Sequence, residues 1–391
     1  MQREIYLDNS ATTMIRDEAL EKYVEVSREH YGNPSSLHTL GFDAEKILDR
    51  ARGEIRTALS TIRAEVVFCG SGSEANNLAI LGRAYAKERY RKGSKIITTD
   101  SEHASVNEPL SKLSGEGFKI SKIPTKGGAL DLPFLEKELT PDTVLVTMML
   151  VNNETGALYD VASAAKLIRR KAPEALIHVD ATQAFLKIPI SMQKLSADMI
   201  TVSSHKIEGP KGVGALVIDD KVIKARGLSP IVLGGGQEKG LRSGTENVPA
   251  IAAFGEAVRL GFSELSECKE ELTSLRALLI ERIASEDGLS EISPTLPPCY
   301  APHILNITLP SIKSETMLHF LSSRGIFVSS GSACSSNSKS HSSSLIAYGR
   351  SEKEADSSIR ISFSRKNTPE DVDALVEALS EGLKNLQRVK Q

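Results

Sequence analysis

Lys206 closes the stretch Ser203-Ser204-His205-Lys206, directly behind the apolar run Met199-Ile200-Thr201-Val202 and ahead of Gly209, Gly212 and Gly214. A primary amine at a strand end can hold an aldehyde as a Schiff base. Asp180 ends another apolar run, Ala175-Leu176-Ile177-His178-Val179. A buried carboxylate facing an imine-forming amine is what pyridoxal phosphate (PLP) needs, because it keeps the pyridine nitrogen protonated so that the ring can accept electrons from a carbanion. Each residue alone has an ordinary reading as well: a solvated lysine, and an aspartate that caps a turn.

Further groups fall where such a site would use them. Gly70-Ser71-Gly72-Ser73-Glu74 lies between a strand and a helix start, so the unpaired N–H groups of Gly72 and Ser73 form an anion cradle, unless the stretch is a plain serine-capped turn. Ser203 and His205 offer more donors to the same anion. Arg242-Ser243-Gly244-Thr245 is a second small, basic turn, readable also as a solvated loop. His103 follows the run Lys95 to Thr98 and can lay an imidazole over an aromatic ring or exchange protons, unless it is simply a polar loop residue. The amides of Asn153 and Gln183, after Val151 and Asp180, suit a ring hydroxyl or a substrate carboxylate, although Asn152-Asn153 also reads as a turn. Arg360, in Ser358-Ile359-Arg360-Ile361-Ser362, alternates with apolar neighbours and can grip a carboxylate in bidentate fashion or form a surface ion pair.

The chain has 391 residues, enough for two domains and an interior that desolvates a cofactor. Its 48 basic and 50 acidic residues leave a net charge of −2, with no footprint for nucleic acid and no basic membrane face. No apolar stretch approaches the roughly 20 residues of a membrane helix. Met1-Gln2-Arg3-Glu4 leads into Ile5-Tyr6-Leu7-Asp8 without an apolar signal region, so a cytoplasmic address is expected. The four cysteines form no C-x-x-C pair, which argues against zinc and against a disulfide framework. Cys69, Cys268 and Cys299 read as structural thiols. Cys334 differs, because it sits in Ser329 to Ser344, where ten of sixteen residues are serine and a mobile loop is expected.

From Arg16 to Glu256, apolar runs at Val66–Phe68, Lys95–Thr98, Val144–Leu150, Leu176–Val179, Met199–Val202 and Ala215–Ile218 alternate with helical patterns such as Glu74 to Arg91 and Val161 to Arg170. That alternation predicts an α/β fold with a mostly parallel sheet and ligands at the strand C-terminal ends. One long helix is expected over Ile251 to Ile283, then strands at His303–Ile307 and Gly325–Val328 and a last helix from Pro369 to Leu386. The expected division is a large domain over residues 14–258 and a small α+β domain of residues 1–13 and 259–391.

Taken in order, Tyr6-Leu7-Asp8-Asn9-Ser10-Ala11-Thr12-Thr13, Tyr31-Gly32-Asn33-Pro34, Ser101-Glu102-His103, Asn152-Asn153-Glu154, His178-Val179-Asp180-Ala181-Thr182-Gln183, Ser204-His205-Lys206, Arg242-Ser243-Gly244-Thr245, Ser330-Gly331-Ser332-Ala333-Cys334 and Ser358-Ile359-Arg360 resemble the cysteine desulfurases of the NifS/IscS type. These belong to the class V branch of fold-type I PLP enzymes. The resemblance implies Lys206 as the Schiff-base lysine, Asp180 at the pyridine nitrogen, His103 stacked on the ring, and Gln183 with Asn153 near the ring oxygen and substrate. It assigns Gly72, Ser73, Ser203 and His205 to the phosphate, with Thr245 reaching it from the other subunit of a homodimer. Arg360 would take the carboxylate of L-cysteine, and Cys334 its sulfur as a persulfide, with release of alanine and transfer to an acceptor such as an iron-sulfur scaffold or a tRNA-thiolation enzyme. A selenocysteine lyase, a transaminase or a non-catalytic sulfur carrier would share parts of this pattern. Two features depart from the family: Ser335 to Ser344 is polar where an apolar, proline-containing helix start is common, and Ser73 stands where a threonine is frequent.

Overall fold

The structure is a computed structural model that describes residues 3–310, 312–330 and 341–387. Its strands are β1 (Ile5–Tyr6), β2 (Ala64–Cys69), β3 (Lys95–Thr99), β4 (Lys119–Ile123), β5 (Thr143–Met149), β6 (Leu176–Asp180), β7 (Met199–Ser203), β8 (Gly214–Asp219), β9 (Ser293–Pro294), β10 (Ile304–Thr308), β11 (Ile326–Phe327), β12 (Ser329–Ser330) and β13 (Ser358–Ser362). The first helices are α1 (Asp17–Glu29), α2 (Thr39–Ala58), α3 (Gly72–Tyr85), α4 (Ala104–Gly115), α5 (Leu132–Glu138), α6 (Val161–Lys171) and α7 (Asp220–Lys224). After them come α8 (Val248–Ser263), α9 (Leu265–Ser285), α10 (Ser314–Ser322), α11 (Ser343–Tyr348), α12 (Glu352–Asp356) and α13 (Pro369–Gln387).

Seven strands form one sheet in the order β2-β8-β7-β6-β5-β3-β4, parallel except for β8, which runs against both neighbours. Helices cover both faces, so its central strands are buried on both sides, and β5 is buried at every residue. Successive side chains serve opposite cores. Val66 and Phe68 join Ile177, Val179, α2 and α8 on one face, while Val67 and Cys69 join α3 and α4 on the other. The mixed, mostly parallel sheet agrees with the expected α/β class.

Both ends of the chain build a second core. β1 pairs with β11, Asp8 bridges to Ser362, and Ile5 and Leu7 are buried with α9, β10, β13 and α13. Its sheet runs β12-β13-β10-β9.

Several sequence expectations change. The long helix predicted over Ile251 to Ile283 breaks at Glu264 into α8 and α9, and the Glu264 carboxylate is gripped by Arg16 at 3.0 Å and by Arg365. The helix predicted to Arg91 ends at Tyr85, followed by a 3₁₀ turn. The polar strand β4 (Lys-Ile-Ser-Lys-Ile) gives little apolar signal because it is the sheet edge. The serine-rich segment is not wholly a loop: Ser329 and Ser330 pair with β13, and the Ser342 hydroxyl caps α11. The other expected loop residues, 331–340, including Cys334, lie outside the described residues.

Gly214, the first residue of β8, passes close beneath the start of α3. A Cβ there would sit 2.7 Å from the Ser71 carbonyl carbon and 2.8 Å from the Gly72 nitrogen. Those are backbone atoms that no rotamer change can move aside. Gly214→Ala is therefore expected to destabilise the fold by about 1–3 kcal/mol, as overpacking does, read as a lower denaturant midpoint.

Candidate active site

The C-terminal ends of β2, β3, β5, β6 and β7 open on one cavity of about 430 Å³. Gly72 and Ser73 reach it from the start of α3, His103 from the start of α4, Asn153 from beyond β5, and Asp180 and Gln183 from β6 and the turn after it. Ser203, His205 and Lys206 line it from β7 and the following turn, and Arg360 enters from β13 in the second core. Ten expected residues thus converge. Thr245 does not line this cavity and is exposed on its turn, and Cys334 is outside the described residues.

The turn that leads into α3 is held by its own caps. Ser71 Oγ accepts the Glu74 N–H at 3.1 Å, while Glu74 accepts the Gly70 N–H at 2.7 Å and pairs with Arg242 Nε at 2.8 Å. Arg242 therefore steadies this turn through Glu74. Opposite, Ser203 Oγ is buried without a hydrogen-bond partner. A buried hydroxyl left in this state is costly unless a ligand or water completes it.

The Asp180 carboxylate is clamped from two directions: Thr182 N–H donates to Oδ1 at 2.9 Å and Asn76 Nδ2 to Oδ2 at 2.7 Å. Lys206 Nζ donates to the Ser10 carbonyl and to that of Ala11 at 2.7 Å, so the opening segment folds over the site. Gln183 Nε2 donates to Ser10 O as well, at 2.9 Å. Arg360 donates to Asp8 Oδ1 at 2.8 Å and to Asn153 O at 2.9 Å, which orients the guanidinium. Asn152, beside it, forms a turn: its Oδ1 accepts the N–H groups of Glu154 and Thr155. His205 is pushed down to about 4 by burial and by the charges of Lys206 and Lys211, so it is neutral near pH 7.

Asn76, Ser105, Asp8 and Ser10 also line the cavity, although their sequence context assigns them no role. Asn76 had one signal: it stands on the apolar side of α3, four residues after Gly72 and next to Ala75 and Ala79, where a polar group needs a partner.

Glu102, between Ser101 and His103, is fully buried, and burial pushes its carboxyl up to about 8 with help from Asp180 and Asp100, against the donors Thr99 and Met149 N–H. Its folded form therefore keeps a proton that the unfolded chain releases above a pH of about 4.3. Stability from this group is present at acid pH and lost as pH rises towards 8. Oε1 accepts from Thr99 Oγ1 at 2.6 Å and Met149 N at 2.9 Å, and Oε2 has no partner, so glutamine can replace the neutral acid. Glu102→Gln should gain on the order of a few kcal/mol over the parent between pH 5 and pH 8. Urea unfolding of both proteins across that range checks it; parallel curves would rule it out.

The sequence matches the family model described as aminotransferase class-V over residues 5–375. The chain is 38% identical to cysteine desulfurase IscS 1 of Archaeoglobus fulgidus over 376 residues, covering 96% of this chain and 95% of that protein. Among solved structures it is similar to a NifS-like protein, with a TM-score of 0.90, 35% identity and coverage of 98% and 100%. A structure described as SspA in complex with cysteine superposes with a TM-score of 0.79 at 31% identity, covering 93% of this chain and all of that one.

Proposed function

We propose that this chain, which belongs to the aminotransferase class-V family, is a PLP-dependent cysteine desulfurase that converts L-cysteine to L-alanine and leaves the sulfur as a persulfide on Cys334. The observation that carries this reading is the meeting of Lys206, Asp180 and Arg360 in one cavity.

The residues fit PLP. The start of α3 with Gly72 and Ser73, together with the unpartnered Ser203 Oγ, offers donors to a phosphate, and the doubly held Asp180 carboxylate suits a protonated ring nitrogen. His205 adds a neutral donor. When bound, PLP supplies an electrophilic aldehyde and an electron sink. Lys206 would hold that aldehyde through Nζ, and the same amine, when free, would move the proton at the substrate Cα. Arg360 receives the substrate carboxylate, sharing its donors with Asp8, and Asn153 and Gln183 supply amides beside it. The Cys334 thiolate bonds to the substrate sulfur as the carbon–sulfur bond breaks, and the carbon skeleton leaves as alanine after protonation.

The reading includes a homodimer in which Thr245 completes the partner's phosphate site, and a cytoplasmic acceptor protein serving iron-sulfur cluster assembly or thiolation of a cofactor or tRNA. No helix among the described residues is long and apolar enough to cross a membrane. The test is an assay of the purified protein with PLP and L-cysteine. It should be yellow and release one alanine for each sulfur transferred. A protein that stays colourless after reconstitution, or a yellow one that yields no alanine, would refute the proposal.

A further inference from the structure

We propose that Asn76 and Ser105 form a relay from Asp180 to His103 that fixes the His103 proton on Nε2, making this histidine a hydrogen-bond donor to the cavity. The directions of the bonds follow from chemistry. Asn76 Nδ2 lies 2.7 Å from Asp180 Oδ2 and 2.9 Å from Ser105 Oγ. A carboxylate oxygen only accepts, so the amide must turn its NH₂ group towards Asp180. Its second hydrogen is then aimed at Ser105 Oγ. The Ser105 hydroxyl, already accepting, directs its own proton to His103 Nδ1 at 2.8 Å. The Ser105 backbone N–H converges on the same nitrogen at 3.1 Å, as the cap of α4. With two donors aimed at it, Nδ1 must present its lone pair. The remaining proton belongs to Nε2, on a ring that lines the cavity.

The inference rests on the proposed desulfurase for its functional meaning, and it alters the part that His103 plays there. Protonating Nδ1 would break both bonds, so the imidazole is a poor acceptor for the Cys334 thiol proton. Burial lowers its basicity and Lys206 adds to this, while Asp180 opposes. The Asp180 charge meant for a ring nitrogen thus also sets the orientation of a second group in the cavity, the His103 ring. Asn76 and Ser105 are positioning residues, since they act through Asp180 and His103.

Nitrogen NMR on protein labelled with ¹⁵N-histidine reads the tautomer directly, with the His103 signal assigned by its loss in His103→Gln. At neutral pH, both cofactor-free and PLP-loaded protein should show Nδ1 bare and Nε2 protonated. A proton on Nδ1 in either form overturns the relay. Asn76→Ala frees the Ser105 hydroxyl to turn and accept. Asn76→Ala and Ser105→Ala should each raise the acid-to-neutral ratio of His103 roughly fivefold at a given pH, one hydrogen bond's worth, and the double variant no further. Additive shifts would show that the two residues act separately and would refute the relay. Because the tautomer is read without turnover, its failure is a separate result from failure of the desulfurase reading.

Discussion

Lys206→Ala should bind PLP without a covalent link and lose turnover by at least about 10³-fold, the scale expected when the attaching and proton-moving group are the same side chain. Borohydride followed by peptide mass analysis should find a pyridoxyl group on the Lys206 peptide of the parent and none on the variant. The structural loss is small by comparison. Lys206 Nζ donates to the carbonyls of Ser10 and Ala11, and such bonds are each worth about 1 kcal/mol net. Lys206→Arg separates the two effects. A guanidinium can still reach those carbonyls but forms no Schiff base, so it should keep the parent's unfolding midpoint while remaining inactive. An arginine variant with parental turnover would remove Lys206 from the centre of the chemistry.

The contacts of Lys206 also show why some of the site could be read from sequence and some could not. Asp180, Ser203, His205 and Lys206 each stand at or just after the end of an apolar run, and in a parallel sheet all such ends face the same side. Local pattern was therefore enough to bring them together. The opening segment gave no such cue. Asp8 meets Arg360 across 352 positions, and Ser10 O meets Gln183 across 173, through a segment whose short strand β1 pairs with β11 rather than with the large sheet. Nothing in a short apolar run names its distant partner. Asn76 was obscured differently. It lies within the helix behind the glycine turn, and its importance arises from the carboxylate above it rather than from any motif. The break at Glu264 was similarly hidden, because residues on both sides of it keep a helical apolar pattern and the two arginines that hold it come from opposite ends of the chain.

Cys334→Ala should keep the yellow cofactor, form no protein persulfide and lose catalytic alanine release by about 10³-fold or more, as loss of a nucleophile does. The remaining cysteines explain why none should replace it. Cys69 is buried beneath the α3 cradle, where burial and the Glu74 charge push its thiol well up and away from the reactive thiolate. Cys268 is buried in the second core with its thiol likewise raised, chiefly by burial. Cys299 is exposed but does not line the cavity, and its carbonyl is tied to Leu158 N–H at 2.9 Å. A thiol must be ionised and able to reach the substrate sulfur before it can take it. Mass analysis of the persulfide after one turnover distinguishes the cases: sulfur on Cys334 in the parent and on no cysteine in the variant is the expected result. Sulfur on Cys299 in the variant, with alanine still released, would mean that an exposed thiol outside the cavity suffices, and the role assigned to Cys334 would fall.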